Sequence, residues 1–205
     1  MGFTRAELES FRGRGIPDFM PEHPRLIFVG INPGLWTAAT GVPFAHPGNR
    51  FYPALVSAGI IPRMPQITDD GMPEVDRRMF FDAGIGISNL VRRATVRADE
   101  LSRDELREGA HRLESDIARW HPEVVAVVGL TAYRQGFGRA KAVAGRQPES
   151  LGGAALWVVP NPSGLNAHDT VATLAEAYAA PARAAGLLGT QEPPMDSPTP
   201  RKFSS

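Results

Sequence analysis

Apolar residues cluster in four short runs, at 26–29, 84–90, 124–128 and 155–159. Each has strand length and ends at a Gly, Pro or Asn, which marks it as a buried strand. The run 124–128 is the clearest, four of its five residues being Val. Between the runs the apolar spacing switches to the helical period. Thr4-Arg5-Ala6-Glu7 is a capping box that opens a short helix to about Arg12. A helix over 49–58 turns Phe51, Leu55 and Val56 inward, and 74–81 predicts another. Ser102-Arg103-Asp104-Glu105 is a second capping box, starting a helix to about Trp120. Short helical spacing over 131–137 follows. The closing helix runs from Asp169 to about Leu187, with a break or kink expected at Pro181.

Strands alternating with helices predict an α/β fold with a mostly parallel sheet covered on both faces. Residues 1–188 form one domain in this reading. From Gly189 onward Pro, Ser, Thr and charge dominate, and residues 189–205 are expected to be a disordered tail. Residues 31–47 form a loop of 17 residues that holds Leu35, Trp36 and Phe44, so a packed, functional loop is expected.

Two polar loops begin where strands stop. The first run ends in Gly30-Ile31-Asn32-Pro33-Gly34, and the last ends in Pro160-Asn161-Pro162-Ser163-Gly164-Leu165-Asn166. The carboxyl ends of parallel strands are where ligand sites form in open sheets. Both loops have a plain turn reading as well, since Gly, Pro and Asn are turn residues. The functional alternative is a rigid loop that aims the Asn32 amide into a cleft.

The segment Phe44 to Phe51 adds His46, Asn49 and Arg50. Phe44 is either minor-core packing or a surface on which a flat heterocycle stacks. His46 alone reads as a structural histidine, Asn49 as a helix cap, and Arg50 as a phosphate contact or a surface charge. Leu165, flanked by Ser163, Gly164 and Asn166, could serve as a wedge between base pairs. Arg92, Arg93 and Arg97 follow a strand end with few acidic residues nearby in sequence, which makes them phosphate-contact candidates.

Composition narrows the chemistry. The chain has 22 basic and 22 acidic residues, a formal net charge of +0, so nucleic-acid binding would require a local patch. With 0 cysteines it has no disulfide, cysteine nucleophile, cysteine-ligated zinc or iron–sulfur cluster. No apolar signal core or membrane-length run stands out, so a cytoplasmic protein is expected.

The two Asn-Pro loops, the segments Pro43 to Pro47 and Asn49 to Phe51, and the stretch Gly84 to Val91 followed by Ala94-Thr95-Val96 resemble the bacterial mismatch-specific uracil-DNA glycosylases. These share a family with thymine-DNA glycosylase. The resemblance covers roughly residues 24–185, in order and with compatible spacing. It implies a three-layer α/β/α sandwich around a sheet of about four to five strands. It further implies excision of a uracil-like base from double-stranded DNA by nucleotide flipping and hydrolysis. No cofactor or metal, no membrane and a monomer are implied. By resemblance Asn32 is catalytic and Ile31 supplies backbone groups beside it. Phe44, Asn89, Asn161 and Ser163 bind the base, while Gly164, Leu165 and Asn166 contact DNA together with Arg92, Arg93 and Arg97. The chain departs from the pattern in three places. Ala167 and His168 stand where bacterial members can carry Arg, Asn89 stands where some carry Lys, and Trp36 follows Leu35 where smaller residues are common. A binding protein that keeps the pocket without useful turnover, and a hydrolase of free nucleosides, are the alternatives.

Overall fold

The computed structural model describes residues 2–164 and 169–189. Its centre is a five-stranded sheet of β1 (Leu26–Gly30), β2 (Ile85–Asn89), β3 (Val124–Val128), β4 (Gly145–Leu151) and β5 (Ala154–Val159). The strand order is β2-β1-β3-β5-β4. All neighbours are parallel except β4, which runs antiparallel to β5. The fold is therefore α/β with a mostly parallel sheet flanked by helices.

Alternation along the strands builds two apolar layers. Leu26, Phe28, Ile85, Ile87, Val124 and Ala126 face one side. There they meet α3 (Phe51–Ser57), α4 (Glu74–Asp82) and α7 (Val171–Ala184), which bring Phe51, Leu55, Phe80, Leu174 and Tyr178. Ile27, Val29, Val125, Val127, Leu156 and Val158 face the other side. They pack on α5 (Arg103–Trp120) and α6 (Leu130–Gly136) through Leu106, Leu113, Ile117 and Tyr133. Each central strand is thus buried on both faces, the reason it reads as a continuous apolar run.

The structure adds a strand, a helix and a 3₁₀ turn (Ala98–Glu100) to the elements the sequence predicts. β4 is an edge strand of sequence Gly-Arg-Gln-Pro-Glu-Ser-Leu, with a register irregularity between Arg146 and Ser150. Its polar residues and Pro148 hide it, because Pro is tolerated at sheet edges and irregularities. It joins β5 through Gly152-Gly153, both at positive φ (54° and 93°), a two-residue hairpin that needs glycine. Inside the 31–47 loop lies α2 (Leu35–Thr40), closed by Gly41 in the left-handed region at φ 70°. The helix at the N-terminus, α1 (Arg5–Glu9), carries the expected capping box between Thr4 and Glu7. At the other end, α7 is not broken at Pro181 but runs through it to Ala184.

Candidate active site

Four parallel strands deliver residues to one cleft of about 870 Å³ at their carboxyl ends. β1 supplies Ile31 and Asn32, β2 ends at Asn89, β3 contributes Val128, and β5 leads to Asn161 and Ser163. The cleft opens beside β1, which has β2 on one side and β3 on the other. Chain connections depart in opposite directions from such a point, and the loops there part to leave a crevice.

Asn32 is half-buried and its amide orientation is fixed. Nδ2 donates to the carbonyls of Arg93 (3.0 Å) and Pro33 (3.1 Å) and to Thr95 Oγ1 (2.7 Å). Carbonyls only accept, so the NH2 end must face them. Thr95 is buried and its hydroxyl donates to the Arg97 carbonyl at 2.8 Å, which leaves its oxygen to accept from Asn32. With the NH2 group so engaged, Oδ1 is an acceptor without a hydrogen bond among the described residues.

Phe44 sits in the left-handed region at φ 55°, a conformation costly for a residue with a Cβ. Its ring lies on Phe51, centroids 4.1 Å apart and planes 25° from parallel. It is held from behind by Tyr52, whose hydroxyl donates to the Pro43 carbonyl at 2.6 Å. Gly30 lets the ring approach β1: a Cβ there would stand 3.3 Å from Phe44 Cζ and 2.8 Å from Asn89 Oδ1. Phe44 and Asn89 therefore converge over one glycine. The Asn89 side-chain amide makes no hydrogen bond among the described residues, while its backbone carbonyl accepts from Arg112 Nη2 at 2.6 Å.

The second loop is built the same way. Tyr178 donates its hydroxyl to the Pro160 carbonyl at 3.0 Å, just before Asn161. Burial pushes the pKa of both Tyr52 and Tyr178 far above the usual phenol value, so each stays a neutral donor. Asn161 Oδ1 accepts from the Ser163 backbone N–H at 3.0 Å, an Asx turn. Arg50 is half-buried and ties this loop to the first. Its backbone N–H donates to the Pro162 carbonyl at 3.0 Å, and its guanidinium donates to the carbonyls of Ser163 and Asp169. The expected choice between phosphate contact and surface charge is thus replaced by a loop clamp. Gly164 approaches the first segment closely, since a Cβ on it would lie 3.0 Å from the Gly48 carbonyl oxygen. Leu165 and Asn166 lie outside the described residues, as do Ala167 and His168.

His46 accepts the Gly48 N–H at Nδ1 (3.0 Å), a local turn bond. The N-cap of α3 is Arg50 rather than the expected Asn49, which lies one residue ahead and accepts the Phe51 N–H at Oδ1 (2.9 Å). Among the described cleft residues the carboxylates are Glu9 and Glu100, and both are ion-paired to Arg12.

The expectation that Arg92, Arg93 and Arg97 have few acidic neighbours is corrected by the fold. Arg92 pairs with Asp18 (3.2 Å) and Asp116 (3.5 Å), and Arg97 with Asp99 (2.6 Å). Arg93 grips Glu105, holding that carboxyl down to about 2, with a Ser102 N–H bond adding to the shift. Three of these four acids come from 12 to 74 positions away, which local spacing does not reveal. Of the three arginines only Arg97 lines the cleft. Thr95, Tyr52 and Tyr178 are site residues to which the sequence alone assigns no role. Thr95 lies within a segment that carries the family resemblance; nothing local marks the two tyrosines.

The fold has a counterpart in the solution NMR structure of a Methanosarcina acetivorans protein provisionally described as a uracil DNA glycosylase. The TM-score is 0.56 at 16% identity, over 85% of this chain and 98% of that one. At that identity the likeness concerns the fold. The sequence pattern of the uracil DNA glycosylase superfamily matches residues 17–181, spanning both Asn-Pro loops and the strands that carry them, and the chain belongs to that superfamily.

Proposed function

We propose that the protein is a monofunctional DNA N-glycosylase that removes uracil, and related damaged or mismatched pyrimidines opposite guanine, from duplex DNA. The observation that carries this reading is the fixed Asn32 amide, with its NH2 end tied to Arg93, Pro33 and Thr95 and Oδ1 left as an acceptor in the cleft. Cleavage of the bond from C1′ to N1 leaves positive charge on the sugar and negative charge on the base. Asn32 Oδ1 orients a water toward C1′ but cannot take its proton as a carboxylate would. Rate enhancement then rests on positioning and on donors at the base oxygens. Ile31 supplies backbone groups beside the water. Phe44 offers ring surface for stacking, and the Asn89 amide, without a hydrogen bond among the described residues, offers both a donor and an acceptor to the edge of a pyrimidine. Asn161 and Ser163 complete the base end of the cleft.

Hydrolysis rather than amine attack fits the lysine inventory. The chain has two lysines, Lys141 and Lys202. Lys141 is exposed and is not among the cleft residues, and Lys202 lies outside the described residues. Gly164, Leu165 and Asn166 would enter the stack and fill the space left by the flipped nucleotide. Arg97 would reach a phosphate by exchanging Asp99 for it, with Arg92 and Arg93 behind it.

The test is single-turnover release of free base from a duplex with one G·U pair. Wild type should release uracil, and Asn32→Ala should lose about a hundredfold or more in rate while still binding the duplex. Because Asn32 cannot ionise, turnover should be slow. Binding without any release would instead make the protein a reader of mismatched duplex, and release from free nucleosides alone would make it a nucleoside hydrolase.

A further inference from the structure

The superfamily match begins at residue 17, yet the cleft does not end there. Arg5, Leu8, Glu9 and Arg12, all on the segment before it, line the same cleft as Asn32 and Phe44. The segment is fastened to the domain at both ends. Phe3 meets Trp36 of α2 edge-on, ring centroids 5.5 Å apart. Gly13 donates its N–H to the Ala94 carbonyl (2.9 Å), and Ala94 returns one to Arg14 (2.8 Å). Between these anchors Arg12 bridges Glu9 and Glu100, which pairs both carboxylates on this side of the cleft with one cation.

The charges on this wall are unequal. Three arginines line the cleft among the described residues: Arg5, Arg12 and Arg97. Arg12 is held by two glutamates and Arg97 by Asp99. Arg5 is exposed and makes no ion pair or hydrogen bond with any described residue. It is therefore the cation that can take a phosphate without first giving up a carboxylate. The cleft of about 870 Å³ exceeds what one pyrimidine ring fills, so a base held at Asn32 leaves room for its sugar and phosphate to run out along a wall.

Resting on the glycosylase reading above, we propose that residues 2–16 are a working wall of the substrate site, and that Arg5 contacts the phosphate backbone of the strand that delivers the base. The segment adds a positive contact that the superfamily match does not include. It extends the grip on DNA beyond the base pocket, and it acts in binding rather than in bond cleavage.

The experiment uses the full chain with Asn32→Ala as common background, so that the base stays attached. Binding of a duplex with one G·U pair is measured from low to high salt for that chain and for the same chain with Arg5→Ala or Arg5→Lys. Loss of one phosphate contact should lower the log–log salt slope by about one unit in Arg5→Ala, and Arg5→Lys should restore it. In the chain with Asn32 intact, Arg5→Ala should raise KM and leave the single-turnover rate at saturation unchanged. An unchanged slope overturns the proposal, whatever wild type does to uracil. A slope lost in both variants together with a lowered melting temperature also overturns it, since Arg5 would then hold the segment and not a phosphate. Wild-type base release is measured separately. Failure there refutes the glycosylase reading, whereas failure of the slope test alone refutes only the role of Arg5.

Discussion

The end of the cleft at Asn32, the base end in the proposed function, and its arginine-bearing rim are held in different ways. At the base end the ties are uncharged and half-buried or buried: Asn32 to Thr95 and two carbonyls, Tyr52 to Pro43, Tyr178 to Pro160. At the rim they are ion pairs between exposed or half-exposed groups: Arg97 with Asp99, Arg93 with Glu105, Arg12 with Glu9 and Glu100. A buried hydrogen bond costs the full desolvation of its partners when broken, whereas an exposed ion pair contributes little and is screened by salt. The base end is therefore preorganised, and the rim can exchange partners. On the glycosylase reading proposed above, that division suits a site in which a rigid pocket judges a base while the backbone around it is gripped through charge.

The largest effect that would break this comparison is at Asn32. Asn32→Ala should cost about a hundredfold or more in single-turnover excision and little in duplex affinity. Near-normal excision would remove Asn32 from the site and leave its fixed amide as a structural tie.

Phe44→Ala comes next. Base–aromatic stacking contributes roughly 1–3 kcal/mol, so binding of a duplex with an intact mispaired base should fall about ten- to a hundredfold. An abasic duplex should bind as before. Equal losses on both would mean that Phe44, stacked on Phe51 at 4.1 Å, only packs the loop.

Tyr178→Phe sharpens the claim that the second loop is pinned from inside. It leaves the Pro160 carbonyl without its donor, at about 1 kcal/mol or slightly more. Melting should drop by a few degrees, and excision should fall modestly through misplacement of Asn161. A melting temperature equal to wild type would show that the hydroxyl is not needed to hold the loop.

The smallest effect belongs to the rim. The Glu105 carboxyl is held at about 2, below its usual value, chiefly by Arg93 and then by the Ser102 N–H. A depressed carboxylate contributes stability above its unfolded pKa and loses it as pH falls through the folded one. Glu105→Gln should therefore be slightly less stable than wild type at neutral pH, and the gap should close as pH falls from about 4.5 toward 2. A gap that stays constant with pH would mean that the Arg93–Glu105 pair contributes nothing through charge.

Much of the base end is legible in the amino-acid sequence. The runs ending at Val29 and Val159 are strands because β-branched and large apolar residues follow one another, and the run ending at Asn89 places Ile85 and Ile87 two apart, which is local information. The Asn and Pro residues placed directly after them are turn chemistry, equally local. β4 is not legible, since its polar sequence becomes a strand only by pairing with β5 across the Gly152-Gly153 turn. Neither is α2, whose six residues are too few for a helical period to show.

The sequence by itself determined which residues stand at strand ends, Asn32, Asn89 and Asn161 among them, whereas the strand order brings the three to one cleft. The tertiary structure alone decided which groups are already engaged. Arg92 is unopposed along the chain but meets Asp18 and Asp116 in the fold, Arg50 becomes a clamp, and the N-terminal segment becomes a wall that leaves Arg5 without a partner among the described residues. Strand formation and turns depend on neighbours along the chain, whereas charge pairing and hydrogen bonding depend on distance through space. A motif therefore shows where chemistry is placed, and only the fold shows which donors and charges remain to perform it.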